Sequence, residues 1–419
     1  MPSAPPRAGF HRTADDLRCD DVPLADIAAA EGTPLYVYSA ATLRERYRAI
    51  DEAFAGYPHA VHYALKANST LAIASLLREL GSAADANSIW EIEVARKAGF
   101  APGAIVFTGV GKTQAELECA VALGVKAINV ESAGELARVE TVAAQTGRVA
   151  RVAVRVNPDI DAKSHPHIST GLKVNKFGIP LDEAAELFAS LPARPALQLV
   201  AVHVHIGSQI TTIEPLRRAA SIVARTAIDL LRRGLALEYV DVGGGLGVSY
   251  DEGPVPSFRE YVDAIVDAIR PTALPIVVEP GRAIAAPAGA LLARVVDVKP
   301  RTATSEFVVI DAGMTELLRP AMYGAFHRIE PVRRAHGGER HYEIVGPVCE
   351  SSDVVGRDRV LPALRVGDLV AILDTGAYGS AMASNYNRRP LPAEVLVDAG
   401  TWRVIRRRQT VDDMLRLES

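Results

Sequence analysis

The sequence predicts an α/β protein, a (β/α)8 barrel followed by a C-terminal antiparallel β domain. Three observations lead there. From Val61 to Glu279 short apolar runs alternate with helical patterns, the signature of parallel strands joined by helical crossovers. Eight such runs fall within about 220 residues, the count and length of a closed barrel. Beyond Pro287 the helical patterns give way to β-like runs divided by Gly, Pro and Asp. A doubly wound open sheet is the competing topology, but no Gly-x-Gly-x-x-Gly follows the first strand.

In chain order, residues 10–40 hold short apolar pieces such as Leu35-Tyr36-Val37-Tyr38. An amphipathic helix follows over Ala41–Phe54, with Leu43, Tyr47, Ile50 and Phe54 on one face. Barrel strands are expected near Val61–Leu65, Ser82–Asp85, Ala104–Phe107, Ala127–Val130, Ala150–Val156, Leu199–His205, Glu238–Val242 and Pro275–Glu279. Helices are expected between them, for example at Leu71–Leu80, Thr113–Leu123, Leu181–Leu191 and Pro215–Arg233. The β domain has runs at Leu291–Val298, Glu306–Ile310, Tyr342–Val345, Leu369–Leu373, Ala393–Val397 and Thr401–Arg406. The expected organisation is a segment 1–30 joining the β domain, a barrel over 31–287 and the β domain over 288–419. The polar stretch 331–341 reads as an exposed hairpin tip.

Composition excludes several classes of function. The 419 residues are 49% hydrophobic and 23% charged, as in an ordinary globular protein of more than one domain. A formal net charge of -4 leaves no basic footprint for nucleic acid. No apolar run is long enough to span a membrane, and the Pro- and Ala-rich start reads as a frayed tail, not a signal peptide. Cys19, Cys119 and Cys349 form neither a disulfide framework nor a metal spacing and suit a reducing cytoplasm.

The C-terminal ends of barrel strands form the active face of this architecture. The first strand ends in Lys66, and the second in Asp85-Ala86-Asn87-Ser88. The sixth carries His203-Val-His205-Ile-Gly-Ser208-Gln209, the seventh ends in Gly243-Gly244-Gly245-Leu-Gly247, and the eighth in Glu279-Pro280-Gly281-Arg282. Loops after strands seven and eight are the usual phosphate site, so the glycine cluster, Gly281 and Ser208 can converge on an anion there. Alternation puts His203 and His205 on one face. A metal pair is disfavoured because no third ligand has useful spacing; a flat aromatic cofactor stacked on His205 suits better, with His203 a satisfied core histidine. Glu279 ends an apolar strand and needs a cationic partner there, either a protonated pyridine nitrogen or Arg282. Together these are the residues a lysine-bound pyridoxal phosphate requires.

The motif from His62 to Asn68, the His203–Gln209 and Gly243–Gly247 stretches, and Glu279-Pro280-Gly281-Arg282 resemble the fold-type III pyridoxal phosphate decarboxylases. Further matches are Ser169-Thr170-Gly171 with Asn175-Lys176-Phe177-Gly178, Arg319-Pro-Ala-Met-Tyr323, Cys349-Glu350-Ser351 and Gly376-Ala377-Tyr378-Gly379. The likeness runs from about residue 30 to the C-terminus. It implies that Lys66 binds the cofactor covalently, His205 stacks on its ring and Glu279 faces its pyridine nitrogen. Ser208, Gly244, Gly245, Gly281 and Tyr378 would hold the phosphate. Arg282, Arg319, Tyr323 and Glu350 would hold the far end of an amino-acid substrate, with Tyr378 and Arg282 serving both ligands. Cys349 would donate a proton from the second subunit of a homodimer whose sites are shared. The chain departs from the family at Ile89-Trp90, where paired glycines are common, and at Ser352, where glycine is usual.

The distal set also bears on specificity. A substrate ending in a lone cation calls for a carboxylate alone, as expected for members acting on ornithine, arginine or carboxynorspermidine. Arginines beside Glu350 favour a substrate whose far end bears both amine and carboxylate. A racemase of this fold would have an arginine where Glu279 stands, and a non-enzymatic pyridoxal phosphate-binding protein would lack the β domain.

Overall fold

The computed structural model describes residues 9–161, 170–172, 175–334 and 337–418. The described chain divides into two compact units, one formed by Arg46–Val248 and Pro254–Ala283, the other by Met1–Glu45, Ser249–Gly253 and Ile284–Ser419.

The first unit is a closed barrel of eight parallel strands: His59–Ala64, Ala83–Ala86, Ile105–Phe107, Ala127–Val130, Ala150–Asn157, Leu197–His203, Tyr239–Asp241 and Ile276–Val278. Ile276–Val278 pairs back onto His59–Val61 and shuts the ring. Ile105–Phe107, Ala127–Val130, Tyr239–Asp241 and Ile276–Val278 are buried at every position, because helices cover the outside while side chains fill the inside. The crossover helices start on caps written in the sequence. Ser88, Thr113, Ser132 and Ser257 each accept from a backbone N–H of the first turn, and Thr113 with Glu116 and Ser257 with Glu260 form capping boxes. Each cap stabilises its helix by about 1 kcal/mol.

The second unit is built around the long strand Gly289–Pro300, which pairs antiparallel with Leu35–Ser39, Ser305–Ile310 and Leu369–Ile372. Three corrections follow. The sheet is mixed and not wholly antiparallel, because Ser305–Ile310 pairs parallel with Glu339–Val345, and Leu35–Ser39 pairs parallel with Ala393–Asp398. Long connections separate those partners, and such crossovers permit parallel pairing where a tight turn would not. The barrel does not begin at residue 31, since Leu35–Ser39 is buried at every position within this second sheet. The strand Val354–Pro362 escapes the sequence pattern because Gly356-Arg357-Asp358 interrupts it, with Asp358 at φ +49. Nor is 331–341 a hairpin tip: Ile329–Pro331 pairs with Leu369–Ile372, whereas Glu339–Val345 pairs with Ser305–Ile310 and Val354–Pro362. Among the described residues no helix is long and apolar enough to cross a membrane.

Candidate active site

Strand ends deliver the barrel's chemistry. The first strand stops at Ala64, and a one-turn 3-10 helix over Leu65–Ala67 carries Lys66 off the wall. Lys66 Nζ donates to Oδ2 of Asp85 at 2.8 Å, on the neighbouring second strand. Burial alone would raise the Asp85 carboxyl, but the Lys66 ammonium, its hydrogen bond and that of Thr108 outweigh burial and bring it down to about 2. Sequence reasoning marked Asp85 only as a polar strand end; its signal was its position opposite the lysine.

Glu279 and both histidines meet inside the barrel. His203 Nε2 lies 3.2 Å from Glu279 Oε2, whereas Glu279 Oε1 and His203 Nδ1 are buried without a hydrogen-bond partner among the described residues. His203 is therefore not a satisfied core histidine. Enclosure first, then the nearby Asp85, pushes Glu279 up to about 8 against the pull of Lys66 and Arg155. Burial pushes His203 down to about 4. His205 Nδ1 accepts from the backbone N–H of Gly244 at 3.1 Å, which leaves Nε2 to carry the proton of the neutral ring. Enclosure, then the Lys66 and Arg155 cations, hold His205 well below its ordinary value. One expectation fails in part. Ligand-capable groups from other strands do lie near His203, though not around the His203–His205 pair: a carboxylate oxygen of Asp241, one of Glu279 and a nitrogen of His203 sit within 4.8 Å of one another. The i, i+2 spacing that flagged the histidines could not reveal partners on other strands.

The glycine cluster packs too tightly for any other residue. Gly243 and Gly245 have φ of +65 and +113. A Cβ on Gly244 would lie 2.3 Å from the Glu279 carbonyl oxygen, and one on Gly245 would lie 2.7 Å from that of Gly207. A Cβ on Gly281 would lie 2.8 Å from that of Ala67, which sits beside Lys66. Arg282 donates from Nε and Nη2 to Ser208 Oγ at 3.2 and 3.0 Å, joining the sixth and eighth strand ends. Glu279 thus pairs with His203, and Arg282 turns to Ser208. The helix following Gly281 is only four residues long, so an anion here depends on loop N–H groups and not on a helix terminus.

Arg319, Tyr323, Cys349, Glu350 and Tyr378 belong to the other unit. Arg319 is buried, its Nη1 lies 2.7 Å from His327 Nε2, and its guanidinium covers the Tyr250 ring at 4.7 Å. His327 Nδ1 is 2.9 Å from the Leu373 carbonyl, so it carries the proton and Nε2 accepts from Arg319. His327 and Tyr250 escaped sequence reasoning. Tyr323 is half-buried at the end of the short helix Arg319–Tyr323. Cys349 and Glu350 lie exposed on a loop, where Glu350 Oε1 accepts from the Tyr386 hydroxyl at 2.7 Å. Tyr378 adopts φ +58 between Gly376 and Gly379. The family departures are both accommodated: Ile89-Trp90 opens the helix Ile89–Lys97 with Trp90 73% exposed, and Ser352 is exposed. Of the Ser169-Thr170-Gly171 motif, Ser169 lies outside the described residues.

These groups fit a pyridoxal phosphate. A ring N–H would give the buried Glu279 Oε1 the donor it lacks, and the glycine turns expose backbone to a phosphate. Residues 40–286 match the family described as pyridoxal-dependent decarboxylase, pyridoxal binding domain. The chain belongs to this family of pyridoxal-dependent decarboxylases. Within it, relatives similar over nearly the whole chain include diaminopimelate decarboxylases. That of Vibrio cholerae is 45% identical over 404 residues, 96% of this chain and 96% of the relative. The crystal structure of diaminopimelate decarboxylase from Helicobacter pylori complexed with L-lysine has a TM-score of 0.91 at 44% identity, covering 94% of this chain and 99% of that one. The enzyme from M. jannaschii in co-complex with L-lysine has a TM-score of 0.93 at 37% identity, covering 98% of both chains.

Proposed function

We propose that this chain decarboxylates meso-2,6-diaminopimelate to L-lysine and carbon dioxide, the last step of lysine biosynthesis, with pyridoxal 5'-phosphate as cofactor. The observation that carries this reading is Lys66 at the barrel mouth together with Glu279, whose buried Oε1 lacks a donor and whose acidity responds to the Lys66 charge. Two relatives of this length are crystallised with L-lysine, the product this reaction would release.

When bound, the cofactor supplies an electron sink for the bond that breaks. The chain's residues do the rest. Lys66 holds the cofactor through Nζ and is positioned beforehand by Asp85. Glu279, protonated in the apoprotein, would ionise beside a cationic ring nitrogen and hold a proton on that nitrogen, while His203 steadies its other oxygen. Neutral His205, pinned at Nδ1 by Gly244, stacks on the ring. Ser208, Gly244, Gly245 and Gly281 would hold the phosphate, with Arg282 bracing Ser208, and the family likeness assigns Tyr378 to the same group. Arg319 would bind the distal carboxylate in bidentate fashion and Glu350 would take the distal amine, and the family likeness assigns Arg282, Tyr323 and Tyr378 to the same ligand. Cys349 Sγ delivers a proton to the reacting carbon of a partner subunit's site in a homodimer, and its exposure on a loop supports that reading. Three free cysteines fit a cytoplasmic setting.

The test is to incubate cofactor-loaded protein separately with meso-diaminopimelate, ornithine, arginine and carboxynorspermidine while carbon dioxide and the amine products are measured. Lysine from diaminopimelate is expected. A preference for any of the others would instead identify a sister decarboxylase.

A further inference from the structure

Asp241 ends the seventh strand, two residues before the glycine turn. It is fully buried. Its Oδ1 accepts from the Gly243 N–H at 2.9 Å, and its Oδ2 has no partner among the described residues. Glu279 Oε1 is in the same position, and a carboxylate oxygen of each residue lies within 4.8 Å of one on the other and of a His203 nitrogen. Two buried carboxylates at that range cannot both be ionised without a cation between them. A single proton shared by the pair resolves both deficits, because it turns one acceptor into a donor.

We propose that Asp241 is a positioning residue: it shares a proton with Glu279, fixing the orientation and charge that Glu279 presents to the cofactor's ring nitrogen, while Oδ1 holds the Gly243–Gly245 turn. The proposal rests on Glu279 facing that nitrogen. A carboxylate has about four lone-pair sites, enough for His203, a ring N–H and a proton from Asp241 together. One side chain then couples the phosphate turn to the ring-nitrogen subsite. The charged and titratable groups facing the pair are His203, Asp85, Lys66, Arg155, Tyr239 and Tyr261, drawn from six different elements around it. Burial first, then Glu279, pushes Asp241 well above the carboxylate range, consistent with a retained proton.

Asparagine imitates the protonated acid, with Oδ1 for Gly243 and an N–H for Glu279; alanine imitates neither. The test measures pyridoxal phosphate affinity of wild-type, Asp241→Asn and Asp241→Ala protein, and the protons released when each apoprotein unfolds near pH 6. The folded pair holds its shared proton, which the unfolded chain has lost at that pH, so unfolding releases it and stability falls as pH rises. Expected are a loss of affinity of about tenfold or more in Asp241→Ala, recovery of most of it in Asp241→Asn, and about one proton fewer released by Asp241→Asn than by wild type. If Asp241→Ala binds cofactor as wild type does, the positioning role is wrong. If Asp241→Asn is as impaired as alanine, or releases as many protons as wild type, the shared proton is wrong. Should Asp241→Ala fail to fold, the asparagine results decide alone. An equimolar divalent ion carried by wild-type apoprotein and lost in Asp241→Asn would overturn the proposal in favour of a cation site. Wild-type protein that does not bind pyridoxal phosphate would instead sink the cofactor reading itself.

Discussion

Arg319 is set before any substrate arrives, with His327 holding one nitrogen and the Tyr250 ring lying under the guanidinium plane. On the proposed role, removing it would leave a substrate carboxylate desolvated and unpaired, so Arg319→Ala should lose about 2–4 kcal/mol in kcat/KM toward diaminopimelate. Steady-state kinetics checks this, and an effect confined to stability would return Arg319 to a purely structural role. Glu279 gives a pH signature. Its carboxyl is raised from 4.5 to about 8, chiefly by burial and then by Asp85. The folded apoprotein keeps a proton that the unfolded chain gives up, so its stability falls as pH climbs from about 4.5 to about 8, and the dependence ends above that. Denaturant unfolding across that range should show a decline of a few kcal/mol in wild-type apoprotein and a distinctly flatter curve in Glu279→Gln. The placement of Lys66 and Glu279 at the barrel's strand ends was legible in the sequence because a charge following an apolar run stands out. Asp85, Asp241 and His327 were not, since their meaning lies in partners brought from other strands.

Among the elements, the turn after the seventh strand is the most constrained. Gly244→Ala would place a Cβ 2.3 Å from the Glu279 carbonyl, so the seventh and eighth strand ends must part. The expected result is about 1–3 kcal/mol of lost stability together with clearly weakened pyridoxal phosphate binding, measured by thermal unfolding and cofactor titration. Stability and affinity both at wild-type levels would mean the turn has slack that the packing denies. The barrel strands and their helices could be read from the chain because apolar runs, caps such as Thr113 with Glu116, and terminal glycines such as Gly124 all agree locally. The second sheet was less legible. Val354–Pro362 is broken by Gly356-Arg357-Asp358, and the parallel pairing of Leu35–Ser39 with Ala393–Asp398 joins segments at opposite ends of the chain. Local pattern carries no information about that register.

For the whole molecule, the proposed homodimer gives a prediction that no single site can imitate. Mixing inactive Lys66→Ala with inactive Cys349→Ala protein should restore part of the activity, because a mixed dimer holds one site with both residues intact. Absence of recovery despite demonstrated subunit exchange would remove either the shared site or the proton-donor role of Cys349. Cys19, buried, and Cys119, half-buried, should tolerate alanine with little kinetic effect. The most direct measurement of the central claim takes wild-type and Lys66→Ala protein loaded with pyridoxal phosphate, assays one portion of each for lysine released from meso-diaminopimelate, and treats a second portion with borohydride. Wild type should release lysine and retain a reduced cofactor covalently at Lys66, and the variant should do neither. Sustained lysine release or a borohydride-fixed cofactor in Lys66→Ala would contradict the account.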